Sequence, residues 1–174
     1  INAPNQNGLS HNQHDQFNVK ENGLIFNNSG AIANTTLAGY ILGNPNIGTN
    51  PARVILNEVM GTQPSYLNGY MEIAGRKAEL IIANPNGIIG NGFGFINVSK
   101  AMLTTGTPTF GNQGILDGFN VNTGTISIQG QGLNANAIDR VDLLAKAVEV
   151  NAGIWANQLN VVTGDNVVDN DLRS

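Results

Sequence analysis

Ile96-Asn97-Val98, Phe119-Asn120-Val121, Val141-Asp142-Leu143 and Leu159-Asn160-Val161 start 23, 22 and 18 residues apart. A second series, Met102-Leu103-Thr104, Ile126-Ser127-Ile128 and Val148-Glu149-Val150, repeats at 24 and 22. In most of these triplets two apolar residues flank a polar one, the in–out–in pattern of a short strand with one buried face. Turn residues separate them: Asn122-Thr123-Gly124, Gln129-Gly130-Gln131-Gly132 and Asn151-Ala152-Gly153. A period near 22 with two or three short strands per period predicts an all-β chain wound as a parallel β-helix. Each coil of such a helix holds about three short strands and buries its apolar side chains inside a narrow tube. Asparagine suits the corners, because it tolerates left-handed backbone and its amide can pair with asparagine in the next coil. The leucine-rich repeat has a similar period but demands more leucine. Ile138, Val141, Ala145 and Val148 also fit one face of a helix, a rival that the flanking strand series outweigh.

Working outward, Gly23–Asn28, Arg53–Val59 and Glu79–Ala83 read as further strands. Residues 60–77 hold Gly61, Pro64, Gly69 and Gly75 and read as a hairpin or excursion outside the tube. The open end of a solenoid needs covering, and residues 1–20 are the natural N-terminal cap. No cap is evident at Val168–Ser174, so the chain is expected to be the front piece of a longer solenoid.

Composition agrees with this architecture. Among 174 residues there are 28 asparagines and 22 glycines, which leaves few stretches long enough for a helical bundle. Hydrophobic residues make up 41%, enough for an interior, and the net charge is only −4. The eight basic residues are scattered singly or in one pair, so no stripe favours nucleic acid. No apolar run is long enough to span a membrane, and membrane insertion is not expected. The start Ile1-Asn2-Ala3-Pro4 lacks the pattern of a signal peptide, which is absent or already removed. With no cysteine there is neither a disulfide nor a thiolate ligand.

Two tetrads match: Asn44-Pro45-Asn46-Ile47 and Asn84-Pro85-Asn86-Gly87, the second followed by Ile88. Asn, Pro, Asn and Gly at successive positions are turn chemistry. Both can be plain corner turns or exposed recognition elements. His11, His14 and Asp15 offer metal-ligand types, but no helix is predicted to gather them, and no metal or other cofactor is expected. Gly90-Asn91-Gly92-Phe93-Gly94 lacks the Lys-Ser/Thr of a phosphate loop and reads as a tight turn or bulge. Ser10 precedes His11 without a third catalytic group. Asp139 and Asp142, with Asp117 one coil earlier, are the carboxylates that a glycan-active β-helix enzyme would use. Against that stands a solvated edge.

Pro4–Asn12, Phe17-Asn18-Val19 and Gly23–Asn28 resemble the start of the two-partner secretion (TPS) domain, also called the haemagglutination activity domain. That domain opens filamentous haemagglutinins, related haemolysins and contact-dependent growth inhibition effectors. The family's NPNL tetrad and NPNGI pentad resemble Asn44–Ile47 and Asn84–Ile88 here. Ile55–Val59, Gly92–Asn97, Arg140–Leu144 and Val148–Gly153 are also family-like, so the resemblance covers nearly all of 1–174 as a single domain. It implies a right-handed parallel β-helix with an N-terminal cap and extra-helical strands. It implies a non-enzymatic secretion module at the front of a large exoprotein, an adhesin, haemolysin or toxin. Its partner would be an outer-membrane TpsB-type transporter, met in the periplasm through POTRA domains on the way to the cell surface. The isolated domain would be monomeric. Many growth-inhibition relatives carry a Cys pair where Gly90 and Phe93 stand, so this loop looks closer to the haemagglutinin branch. The tetrad Asn44, Pro45, Asn46, Ile47 is expected to serve transporter recognition. The pentad Asn84, Pro85, Asn86, Gly87, Ile88 is expected to be a structural turn. The competing functions are a glycan-active enzyme and an adhesin domain that binds its host directly.

Overall fold

A three-residue strand can bury its inner side chains only by stacking on neighbours, and this chain does so by coiling on itself. The computed structural model describes residues 1–173. Six strands, one from each successive coil, build the first wall: β1 (Leu9–His14), β5 (Val54–Val59), β8 (Ala78–Ala83), β10 (Val98–Thr104), β14 (Arg140–Ala145) and β17 (Leu159–Thr163). Every pairing along it is parallel.

Two long strands, β9 (Ile88–Ile96) and β13 (Thr125–Ala135), each turn a corner and so belong to two walls. The ladder between them breaks register between Gln129 and Leu133, which marks that corner. Before it lies the second wall, where Ser65 of β6 (Ser65–Leu67), Ile88, Ile126 and Val148 of β15 (Ala147–Val150) stack in register. After it lies the third wall, where Tyr70 of β7 (Tyr70–Gly75), Gly94, Asn134 and Trp155 of β16 (Ile154–Ala156) do the same. β2 (Leu24–Asn28) pairs with β7 and completes that wall in the first coil. Three strands per coil therefore enclose one interior, filled by Ile55, Leu80, Met71, Ile88, Phe93, Phe95, Leu103, Ile126, Leu133 and Leu143.

Two insertions leave the helix. β3 (Ala33–Thr35) and β4 (Gly39–Ile41) form an antiparallel hairpin between the first and second coils. β11 (Thr107–Phe110) and β12 (Leu116–Val121) leave after β10 and pair antiparallel with each other, and β12 pairs antiparallel with β18 (Asn166–Asp169) on its other side. This sheet lies against the outside of the first wall. Phe119, Val121, Leu116 and Val168 cover Leu56, Ile81, Met102 and Leu144 and make a second core. The first wall is thus buried on both faces, which explains apolar runs such as Leu80-Ile81-Ile82-Ala83.

Several expectations change. Residues 60–77 are not an excursion: β6 and β7 are wall strands, with Leu67, Met71 and Ile73 in the interior. The glycines that suggested a loop mark corners, as Gly75 does at φ +82°. Conversely, Phe119-Asn120-Val121 is no coil strand but part of the extra-helical sheet. Its alternation is real, because that sheet also has one covered face. Ile96-Asn97-Val98 straddles a corner, with Asn97 at φ +57°. The helical alternative at 138–148 gives way to β14 and β15.

At the start of the helix, β1 pairs with β5, while Phe17 and Val19 of the proposed capping segment 1–20 are buried in the interior. Asparagine amides do not pair from coil to coil as expected. They donate to backbone carbonyls of the adjacent coil. Asn97 Nδ2 reaches Ile73 O at 2.8 Å and Gly75 O at 3.0 Å, and Asn157 Nδ2 reaches Asn136 O at 3.0 Å and Ile138 O at 2.8 Å. One amide group has two hydrogens, so each amide binds two carbonyls at a corner of the preceding coil.

Candidate functional site

The two Asn-Pro-Asn motifs form the same turn. Asn44 Oδ1 accepts the Asn46 N–H at 3.0 Å, and Asn44 O accepts the Ile47 N–H at 3.0 Å. Asn84 Oδ1 accepts the Asn86 N–H at 2.9 Å, and Asn84 O accepts the Gly87 N–H at 3.1 Å. Proline fixes the second position, and its missing N–H is not needed there. The first asparagine of each motif also binds an earlier segment. Asn44 Nδ2 donates to Ile1 O and Asn27 O, both at 3.0 Å. Asn84 Nδ2 donates to Gln63 O at 3.0 Å and Ser65 Oγ at 2.9 Å.

The surroundings differ. Asn84 is fully buried, Gly87 sits at φ +116°, and Ile88 enters the interior. Asn86 reaches back to Gly61 O at 2.8 Å. In the first motif Pro45 and Asn46 are exposed, and Asn44 is half-buried. Ile47, grouped with them from sequence, is instead buried at 4% exposure. Beside this motif lies a hollow of about 390 Å³ whose lining includes Asn46, Asn2, His14, Phe17 and Phe26. Asn46 Nδ2 donates to Ile1 O at 3.2 Å across its edge.

The other candidate residues do not converge. His11 and His14 lie three positions apart on β1 and so face opposite ways. His11 Nε2 meets Glu58 Oε1 at 2.8 Å, and His14 Nε2 meets Asn57 Oδ1 at 3.1 Å. Ser10 is buried and its hydroxyl donates to Asn2 O at 2.7 Å, not to His11. Asp142 is fully buried under the extra-helical sheet, bound by Arg140 at 2.8 Å and Asn160 at 2.9 Å. Asp139 is exposed, and Asp117 stands on β12 rather than one coil earlier. The Gly90–Gly94 stretch is the corner of β9. Gly92 has φ +70°, and the Phe93 ring fills the space a Gly90 side chain would need.

Comparison with known proteins decides the family. The model described as TPS secretion domain matches residues 1–174. The chain belongs to the TPS secretion domain family. Its curated relatives include Toxin CdiA of Yersinia pestis, 50% identical over 169 residues, and tRNA nuclease CdiA-2 of Burkholderia pseudomallei (strain 1026b), 49% identical over 170 residues. Each alignment covers 97% of this chain but only 5% of the relative, so this TPS domain corresponds to a small part of those proteins. A crystal structure of filamentous hemagglutinin secretion domain superposes with a TM-score of 0.89 at 39% identity, covering 100% of this chain and 60% of that one. The β-helix and the secretion role implied by the sequence resemblance are therefore those of the family. Identity to the CdiA relatives is higher over the whole chain than to the haemagglutinin, so the cysteine-free Gly90–Phe93 loop does not assign the branch.

Sequence reasoning missed the backward-reaching asparagines 97 and 157. Their signal was present: each follows an apolar wall strand, as Asn84 follows Ala83.

Proposed function

We propose that this TPS domain directs export of a longer exoprotein of the growth-inhibition or haemagglutinin type by presenting the Asn44–Ile47 turn to a TpsB-type outer-membrane transporter. In this reading the domain passes through the periplasm of a Gram-negative cell as a monomer, meets the transporter's POTRA domains and starts β-helix winding at the cell surface. It performs no catalysis. The observation that carries the site is the contrast at the first two positions of equivalent turns: Asn44 is half-buried and Pro45 exposed, whereas Asn84 is sealed and Pro85 half-buried, the asparagine at the third position being exposed in both. Exposed loops held by a rigid scaffold are where partners bind. The Asn84–Ile88 pentad is then a structural corner, and Ile47 anchors its own loop from below.

The test pairs secretion, in cells that make the transporter, with urea unfolding of each purified variant. Asn46→Ala and Pro45→Ala should be secreted poorly and bind purified POTRA domains weakly while unfolding at nearly the parental midpoint. If Asn46→Ala is as unstable as it is poorly secreted, both turns are structural. If it is secreted normally, recognition lies elsewhere.

A further inference from the structure

We propose that the outer face of the third wall carries a binding groove for an uncharged oligosaccharide. The groove has a volume of about 590 Å³ and is lined by Tyr70, Gly92, Phe93, Gln131, Asn134, Asn136 and Trp155. Tyr70, Gly94, Asn134 and Trp155 occupy one register position on four successive coils. Parallel strands lie about 4.8 Å apart, so the Tyr70 and Trp155 backbones stand about 14 Å apart, and the Tyr70 ring leans across Gly94 to bring its hydroxyl to Asn134, the strand neighbour of Trp155.

Both rings pack against glycines. A Cβ at Gly94 would come within 2.5 Å of the Tyr70 ring, and one at Gly153 within 2.5 Å of the Trp155 ring. Trp155 nonetheless remains 53% exposed. A pyranose has apolar C–H faces and a rim of hydroxyls, so it suits a flat aromatic surface edged by amides. The amides are present and oriented. Asn134 Nδ2 donates to the Tyr70 hydroxyl at 3.1 Å, which leaves that hydroxyl's own hydrogen to donate outward. Asn134 Oδ1 accepts the Asn136 N–H at 3.2 Å, which fixes the amide plane. Gln131 adds an exposed amide above Gly92, where a Cβ would meet Gln131 Cβ at 3.1 Å.

No acidic or basic residue lines the groove, which favours a neutral ligand and provides no acid–base pair to cleave it. The site would bind a saccharide without turning it over. Side chains on this face project sideways from the wall, so a further coil stacked on β16 would border the groove rather than fill it.

Trp155 is the sole tryptophan of the chain, so its emission reports directly on the groove. The probes are neutral tetrasaccharides of glucose, galactose and N-acetylglucosamine, with a polygalacturonate fragment and a proline-rich peptide as comparisons. At least one neutral probe should shift or quench the emission saturably at millimolar concentration. By calorimetry, Trp155→Ala should bind that probe roughly tenfold more weakly. Tyr70→Phe and Gln131→Ala should bind it several-fold more weakly, and Tyr40→Ala, on the β3–β4 hairpin, as the parent does. Circular dichroism and urea midpoints establish that each variant is folded. The inference is overturned if no neutral probe binds, if Trp155→Ala and Gln131→Ala bind undiminished, or if only the peptide or the charged fragment binds. Secretion of Trp155→Ala should stay normal, which separates this groove from the export role.

Discussion

Asn44 and Asn84 hold the same turn forty residues apart, yet only Asn84 is sealed from solvent. Asn84→Ala would take its amide from Ser65 Oγ and from Gln63 O, which would keep only the longer 3.4 Å bond from Asn86 Nδ2, and would release the N–H of Asn86. Losing a buried partner costs about 1–3 kcal/mol, so the urea midpoint should fall clearly. Asn46→Ala removes an exposed side chain and should cost under about 1 kcal/mol. Equal losses in the two variants would show that exposure is the wrong distinction.

Ile47 is the buried foot of the first turn. Ile47→Ala should cost about 2–5 kcal/mol, the range for truncating a core aliphatic residue, whereas Ile47→Leu, the residue usual in the family, should cost under about 1.5 kcal/mol. Equilibrium unfolding measures both. An Ile47→Ala domain as stable as its parent would place this side chain in solution and return it to the recognition surface.

Arg140 reaches Asp142 at 2.8 Å, and Asp142 has no exposure. Arg140→Met would leave that carboxylate with Asn160 and no opposite charge, a loss of about 3 kcal/mol. Asp142→Asn should be milder, because a neutral amide needs no counter-charge. The reverse order in urea unfolding would refute the pairing as the source of the effect.

Glu72 accepts the backbone N–H groups of Thr36 and Leu37, both at 2.8 Å, and so pins the β3–β4 hairpin to the third wall. Hydrogen bonds to a charged group contribute about 1.5–3 kcal/mol each at most, and here they act on a small hairpin. In Glu72→Ala, hydrogen exchange at Thr36 and Leu37 should accelerate strongly while Ile82 in β8 stays protected. Uniform acceleration would mean that the hairpin and coils unfold together.

His11 and His14 face opposite sides of β1 and bind Glu58 and Asn57. A chelator should leave the melting temperature unchanged. A clear fall would require a metal site built from other residues.

The coil architecture was legible because a period near 22 survives between coils that no insertion separates, as from Ile126 to Val148, whereas the β11–β12 insertion stretches the step from Ile88 to Ile126 to 38 residues. Sequence placed Tyr70–Gly75 outside the tube because three glycines cluster between Gly61 and Gly75. A coil corner and a loop need the same backbone freedom, so local chemistry does not separate them. Phe119–Val121 misled in the opposite direction, since an outer sheet lying on a wall shows the same alternation as the wall. Of the candidate site, the turn geometry at Asn44 and Asn84 was readable from Asn-Pro-Asn. The burial of Ile47 was not, since it depends on what the loop folds over. The row from Tyr70 to Trp155 was hidden because its members belong to separate coils, with the β11–β12 insertion between two of them.

The corner asparagines 44, 84, 97 and 157 all reach toward residues that precede them in the chain. A corner closed in this way waits for nothing downstream. A polypeptide arriving with its N-terminus leading can close these four corners onto the coil already in place, whereas Asn28, whose amide donates to Ala52 O and Arg76 O, waits for the coils that follow. The direction of their side-chain bonds gives these four corners a polarity in time as well as in space.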